Sequence, residues 1–265
     1  MRPADRAARL ARAAAAVRQA LAGPAAQLAL HVVDATASTN SDLLQPEHHP
    51  DTPCCALWAL RQQAGRGRNG RSWLSDEGGL TFSLRRPFAH SGSALLGLPL
   101  AVAVACCQGL EDLGVAGVAI KWPNDLLRRG RKVGGILVEV SGGSAVIGIG
   151  LNVRLEAATG AALDQPASDL QTAGRPTLAR ELVLATLLNR LVPALEHFEA
   201  AGFAAFRDDW TARAAWLGQP VRLGDAIEGI LLGVDASGAL RVQTAQGEQR
   251  GLVGDLSLRP LAAAG

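Results

Sequence analysis

Residues 132–153 read KVGGILVEVSGGSAVIGIGLNV. Two apolar, β-branched runs flank Ser141-Gly142-Gly143-Ser144. Adjacent glycines supply the positive φ that a tight turn between antiparallel strands requires, so the spacing predicts a hairpin with strands over 132–140 and 144–153. Neighbouring strands joined this way argue against a doubly wound nucleotide fold, in which helical crossovers connect parallel strands.

Working outward, the pattern predicts strands over 30–34, 56–61, 80–85 and 118–122. It predicts a short helix opening at 39–44, with Ser38 or Thr39 as N-cap. A long apolar helix over 93–113 should be buried on most of its circumference. A helix over 178–198 should be interrupted by Pro193, and another should span 203–216. Beyond Gly218 the character changes to short strands at 221–223, 226–234, 240–244 and 249–253, with turns at Gly224, Ser237-Gly238 and Gln246-Gly247. The expected architecture is α+β: a helix-covered mixed or antiparallel sheet, then a small β-barrel.

The chain has 265 residues, 48% hydrophobic and 19% charged, with a net charge of +2, as in an ordinary globular protein rather than a disordered chain or a general polyanion binder. Its first 22 residues form an Ala/Arg helix with Arg6, Arg9 and Arg12 at three-residue spacing. A solvated arm is favoured there over a nucleic-acid contact or a transit peptide. No stretch reads as an uninterrupted membrane span, which favours a cytoplasmic protein. Cys54-Cys55 and Cys106-Cys107 sit in apolar runs without metal-ligand spacing, so reduced, buried thiols are expected. His48 and His49 are adjacent in a Pro-rich loop and make poor zinc geometry.

Three segments carry chemistry. In Gln62-Gln63-Ala64-Gly65-Arg66-Gly67-Arg68-Asn69-Gly70-Arg71-Ser72-Trp73, glycines allow close backbone approach while Arg66, Arg68 and Arg71 offer forked donors to phosphate oxygens. An anion-binding ligand loop is favoured over an RNA patch or a flexible surface loop. Lys121-Trp122-Pro123-Asn124-Asp125 should end a strand in a turn that presents Asn124 and Asp125 to a ligand or magnesium ion, with a plain loop cap as the alternative. In Gly148-Ile149-Gly150-Leu151-Asn152 the one polar side chain must find hydrogen bonds, from a structural partner or from a nucleobase. Lys121 and Lys132 are the only lysines, in a chain that writes every other cation as arginine. A site shaped around a point charge would not accept that exchange.

Taken in order, Gly65–Trp73, Lys121–Asp125, Lys132–Glu139 and Gly148–Asn152, with Ser38-Thr39-Asn40 before and Ser257-Leu258-Arg259 after, resemble the biotin protein ligase family over about residues 30 to 260. The resemblance implies a class II synthetase-like catalytic domain followed by an SH3-like barrel. The boundaries are then 1–27 for the arm, 28–217 for the catalytic domain and 218–265 for the barrel. It also implies a two-step reaction in which biotin and ATP give biotinyl-5′-adenylate, and a lysine of a biotin carboxyl carrier domain takes the biotinyl group. By the same resemblance Ser38, Thr39, Asn40, Gln62, Arg66, Gly67, Arg68, Lys132 and Gly135 face biotin. Arg66, Arg68, Arg71, Asn124, Asp125, Asn152 and Arg259 face ATP or the adenylate. Lys132, Arg68 and Lys121 are the catalytic candidates, and Asp125 is the candidate Mg2+ ligand.

Asn69 stands where the family commonly has another arginine, and the spacing from Asp34 to Ser38 is longer than usual. Fewer than 40 residues precede Ser38, too few for a winged helix-turn-helix, so no DNA partner is expected. An exposed edge of the main sheet is compatible with a homodimer. The competing readings are a lipoate or octanoate protein transferase of related fold and, in a different class, a nucleic-acid-binding regulator.

Overall fold

The hairpin expected at 132–153 forms the middle of the main sheet. The computed structural model describes residues 2–45, 54–75, 77–89, 92–156, 159–160, 166–173, 175–252 and 256–261. His48 and His49 lie outside these residues. In chain order the strands are β1 (Ala29–Thr36), β2 (Cys55–Gln62), β3 (Gly65–Arg66), β4 (Ser72–Trp73), β5 (Gly79–Pro87), β6 (Val118–Lys121), β7 (Asp125–Arg128), β8 (Arg131–Ser141) and β9 (Ser144–Asn152). β10 (Pro220–Leu223), β11 (Ile227–Val234), β12 (Leu240–Thr244), β13 (Gly247–Gly251) and β14 (Leu258–Pro260) follow. The helices are α1 (Pro3–Ala20), α2 (Thr39–Leu44), α3 (Leu98–Asp112), α4 (Arg180–Ala201) and α5 (Arg207–Arg213).

The main sheet has the order β1-β2-β5-β9-β8-β7-β6 and is mixed: β1 and β2 run parallel, and the remaining neighbours run antiparallel. Register sorts its side chains by face, because alternate residues of a strand point to opposite sides. Trp58, Phe82, Ile149 and Ile136 stand opposite one another across β2, β5, β9 and β8. All four are buried in the main core with the apolar residues of α3 and α4. Each such side chain contributes about 2–3 kcal/mol on burial. The other face carries the small and polar residues described below, and α2 lies against it.

Several elements depart from their sequence expectation. The 21-residue stretch Gly92–Asp112 is long and apolar enough to cross a membrane, contrary to the reading above, but 72% of its most apolar window is buried in the protein. It is split into a 3-10 turn at Gly92–Leu95 and α3, which begins at Leu98 with Pro99 in its first turn. Pro193 does not interrupt α4, which continues from Arg180 to Ala201. The helix expected over 203–216 is a 3-10 turn at Phe203–Phe206 followed by α5.

The N-terminal helix does not stand free as an arm. Ala13, Ala14 and Val17 are buried where α1 packs on α4. The Asn189 side chain holds the end of α1, accepting from the Ala22 amide at 2.9 Å and donating to Ala20 O at 3.0 Å. Arg12 remains exposed on the outer side.

The second sheet, β13-β12-β11-β10-β14, is antiparallel throughout. It docks where the Trp122 indole, fully buried, donates to Gly238 O at 3.1 Å. A backbone bond from Ala215 N to Ile120 O, at 2.8 Å, ties the preceding segment to β6. At the same seam the turn at Gly238 (φ 89°) lies so close to Gly97 that a Cβ on it would meet the Gly97 Cα at 3.2 Å.

Candidate active site

On the face away from α3 and α4, Lys121, Asp125, Gly135, Gly150 and Thr81 stand directly opposite one another across β6, β7, β8, β9 and β5. Leu137, Gly148 and Ser83 form the next row. Two glycines at the centre of a sheet leave a trough, and the structure shows what fills it. A Cβ on Gly150 would lie 2.4 Å from the Trp73 indole, and one on Gly148 would lie 2.2 Å from Asn40 Oδ1. The sheet therefore omits side chains where the 65–73 loop and α2 deliver theirs.

Lys132 reaches this face through a β-bulge. Leu126 pairs with Gly134, but Leu127 pairs with Lys132, so Val133 is an extra residue in β8. Without it, strict alternation would send Lys132 to the core side. With it, the ammonium lies 2.7 Å from Asp125 Oδ1 and 5.7 Å from the centre of a Trp73 ring. Lys121 approaches the other oxygen of Asp125 at 3.4 Å. Two ammonium groups share one carboxylate, and the triad keeps a net positive charge. A single carboxylate cannot neutralise both, so an anionic ligand is favoured beside them.

The polar end of the trough is a closed network. Ser38 caps α2, its Oγ accepting from Ser41 N at 3.4 Å. Gln62 Oε1 accepts from the backbone and hydroxyl of Thr39 at 3.0 and 3.2 Å. Ser83 Oγ lies 2.7 Å from Thr39 Oγ1 and 2.6 Å from Asn40 Oδ1. The Asn40 amide donates to Glu139 at 2.8 Å and to Leu137 O at 3.3 Å. Thr39, Asn40 and Ser83 are all buried. A satisfied buried network of this kind holds one geometry, which suits recognition of a small polar group.

Above the trough, β3 and β4 make a two-stranded loop closed by Gly67 N to Arg71 O at 2.7 Å. Its tip is left-handed, with φ of 56° at Asn69 and 71° at Gly70. Asparagine tolerates that conformation better than arginine, which gives Asn69 a local reason for departing from the family pattern. Arg66 donates to both oxygens of Glu139, and Arg68 Nη1 donates to Asn124 Oδ1 at 3.2 Å.

All fifteen residues assigned from the sequence line one cavity of about 870 Å3, including Arg71 from the loop and Arg259 from β14. Among the described residues its lining has six cationic side chains, Arg66, Arg68, Arg71, Lys121, Lys132 and Arg259, against the carboxylate of Asp125, with Glu139 pairing Arg66 from beside it. That balance selects anionic ligands.

Three assignments change in character. Asn124 is spent inside the protein: its amide donates to Ile136 O at 2.7 Å while its oxygen holds Arg68. Asn152 donates to Ser168 O at 3.0 Å, so one amide hydrogen has a structural partner. Asp125 does not fit as the nucleus of a resident metal site, since both its oxygens already face lysines. Among the described residues no group of three His, Cys, Asp or Glu is placed to hold an ion.

The sequence assigns no role to Ser83 or Glu139; Glu139 alternates in phase with Gly135 on β8, whereas β5 carries no assigned position and gives no such signal for Ser83. Asp34, whose spacing to Ser38 is unusual, lies outside the cavity and pairs with Arg61 at 2.9 Å and Arg6 at 3.3 Å.

A model described as the biotin/lipoate A/B protein ligase family matches residues 30–155, and one described as the biotin protein ligase C terminal domain matches residues 216–259. The biotin–[acetyl-CoA-carboxylase] ligase of Paracoccus denitrificans is 36% identical over 227 residues, covering 81% of this chain and 94% of that protein. The bifunctional ligase/repressor BirA of Salmonella typhimurium is 37% identical, covering 87% of this chain and 73% of that protein. The solved biotin protein ligase from Aquifex aeolicus in complex with biotin and ATP superposes with a TM-score of 0.77 at 32% identity, over 88% of this chain and 99% of that one.

Proposed function

The chain belongs to the biotin protein ligase family, and on that premise we propose how its cavity divides the labour of joining biotin, ATP and a carrier lysine. The enzyme activates biotin with ATP: the carboxylate oxygen attacks the α-phosphorus, pyrophosphate leaves, and biotinyl-5′-adenylate remains. The carrier's lysine amine then attacks the acyl carbon, AMP leaves with the bonding electrons, and the amine gives up its proton.

No protein nucleophile is needed, so catalysis is positioning and charge neutralisation. The observation that carries the reading is the bulge that turns Lys132 into a trough whose neighbours are already satisfied. An ammonium has three donors, and Lys132 gives one to Asp125. The others remain for a carboxylate and an α-phosphate brought side by side. Lys121 balances Asp125, so the carboxylate does not cancel the charge that Lys132 offers. An arginine at 132 would present a planar fork matched to Asp125 and would bind it in preference.

The network of Ser38, Thr39, Asn40, Gln62 and Ser83 is assigned to the polar ring of biotin, with Gly135 leaving room beside Lys132. Arg66, Gly67, Arg68 and Arg71 close over the adenylate and keep water from the mixed anhydride. Asn152 and Arg259 serve the nucleotide, and Asn124 acts by holding Arg68. Magnesium enters with the phosphates of ATP, as the partner of the substrate rather than a resident of the protein. The acceptor is a biotin carboxyl carrier domain of a cytoplasmic biotin-dependent carboxylase.

Intact-mass spectrometry of an apo carrier domain incubated with the protein and MgATP tests this. Biotin should add one biotinyl group at a single lysine, and lipoic or octanoic acid should add nothing. Acylation by lipoic acid at a comparable rate would move the assignment to the lipoate branch.

A further inference from the structure

Arg128, at the end of β7, is only 5% exposed and lies outside the cavity lining. Burying a guanidinium is costly unless its donors are satisfied. Among the described residues its guanidinium donates to no carboxylate oxygen. Its Nη1 donates to Asp169 O at 3.1 Å and Gln171 O at 2.8 Å, its Nη2 to Thr172 Oγ1 at 2.7 Å, and its Nε to Ala116 O at 3.5 Å. All but the last belong to one short strap, residues 166–172.

The same strap holds two residues of the cavity. Lys132 N donates to Pro166 O at 3.0 Å and Ser168 N donates to Lys132 O at 2.8 Å, a parallel bridge against the start of β8. The Asn152 amide donates to Ser168 O, and Leu170 N donates to Asn152 O at 2.9 Å. Ala167 itself lines the cavity. Contacts made by Arg128 at 169, 171 and 172 thus alternate with strap contacts to Lys132 and Asn152 at 166, 168 and 170. The strap has no regular secondary structure beyond that bridge, and its backbone carbonyls at Asp169 and Gln171 are held by the Arg128 side chain. Asp169 helps locally, its carboxylate accepting from Leu155 N and Gln171 N at 3.0 Å each.

We propose that Arg128 is a positioning residue for the nucleotide half of the reaction: it fixes the 166–172 strap, and through the strap the carboxamide of Asn152 and the backbone at Lys132. With one amide hydrogen committed to Ser168 O, Asn152 keeps its oxygen for an incoming donor such as the exocyclic amine of adenine. A loosened strap would release that carboxamide while leaving the network around Asn40 untouched. The proposal rests on the assignment of Asn152 to the nucleotide.

The test uses the full chain with biotin, MgATP and pyrophosphate exchange as readout, on Arg128→Leu, Thr172→Val and Asn152→Ala. Arg128→Leu should raise the ATP KM about tenfold and Thr172→Val about two- to threefold, with the biotin KM within about twofold of the parent in both. Hydrogen exchange at the Ser168 and Leu170 amides should accelerate in the same order. Thr172→Val removes one neutral acceptor and carries the test if Arg128→Leu fails to fold. Unchanged ATP KM and exchange protection in that variant, or biotin and ATP KMs rising together, would overturn the proposal. Asn152→Ala separates the two layers. An unaffected ATP KM there sinks the nucleotide reading of Asn152, whereas an effect there with none in Arg128→Leu or Thr172→Val sinks only the proposal.

Discussion

Replacing Gly148 by alanine tests the trough at its tightest point. The added Cβ would lie 2.2 Å from Oδ1, 2.9 Å from Cγ and 3.1 Å from Nδ2 of Asn40. Comfortable non-bonded separation is about 3.5 Å, so the carboxamide must retreat by roughly 1 Å. That is enough to break its 2.6 Å bond with Ser83 and its 2.8 Å bond with Glu139. A neutral bond contributes about 1 kcal/mol and one to a charged group about 1.5–3 kcal/mol. Reduced backbone freedom of the unfolded chain returns about 0.4–1 kcal/mol. The net loss is on the order of 2–3 kcal/mol of local order, and biotin affinity should fall about 10- to 100-fold.

Calorimetric titration of biotin into Gly148→Ala, Asn40→Ala and the double variant measures this. Because Asn40→Ala removes the group that alanine displaces, the double variant should bind about as weakly as Asn40→Ala alone, with a coupling of about 1.4–2.8 kcal/mol, equal to the whole Gly148→Ala loss. Additive losses, or parental biotin affinity in Gly148→Ala, would refute the reasoning.

Lys132→Arg should lower single-turnover adenylation at least about 100-fold, because the fork engages Asp125 instead of two converging anions; parental rates would remove Lys132 from the reaction. Arg68→Gly frees the loop from Asn124 and should release adenylate, seen as biotinylation of bystander proteins, and a variant that labels only its carrier would contradict that role. The cysteines predict an alkaline limit. Burial holds the thiols of Cys55 and Cys107 up at about 11 and about 12, with the neighbouring Cys54 adding to the shift at Cys55. Above an ordinary thiol pKa the unfolded chain loses these protons while the folded one keeps them. Stability from each is therefore complete below about pH 9 and falls by about 1.4 kcal/mol per pH unit until the folded thiol ionises. Urea titrations from pH 8 to 10.5 should show this slope, and it should shrink in Cys55→Ala.

Much of the fold is legible because alternation and turns are local. The hairpin at 132–153 and the helix Thr39–Leu44 follow from residues within a few positions of each other. The remainder depends on distant partners. The strand Asp125–Arg128 has no strong pattern of its own, yet it pairs on both sides. The bulge at Val133 exists only relative to β7, so the motif identified Lys132 without explaining how it reaches the cavity. Pro193 was expected to interrupt a helix that packing against α3 and α1 holds together. Of the site, the placement was legible, since every assigned residue lines one cavity. What the motifs hid was the bonding: Asn124 holds Arg68 and Ile136 O, and Arg128, bonded to residues 169, 171 and 172, lies outside every motif.

The most direct test of the central claim is pyrophosphate exchange into ATP by the purified full chain without carrier. Exchange should require biotin, should stay at background with lipoic or octanoic acid, and should be abolished in Lys132→Ala. Exchange that is independent of biotin, or undiminished in Lys132→Ala, would contradict a reaction run by charge placement in this trough.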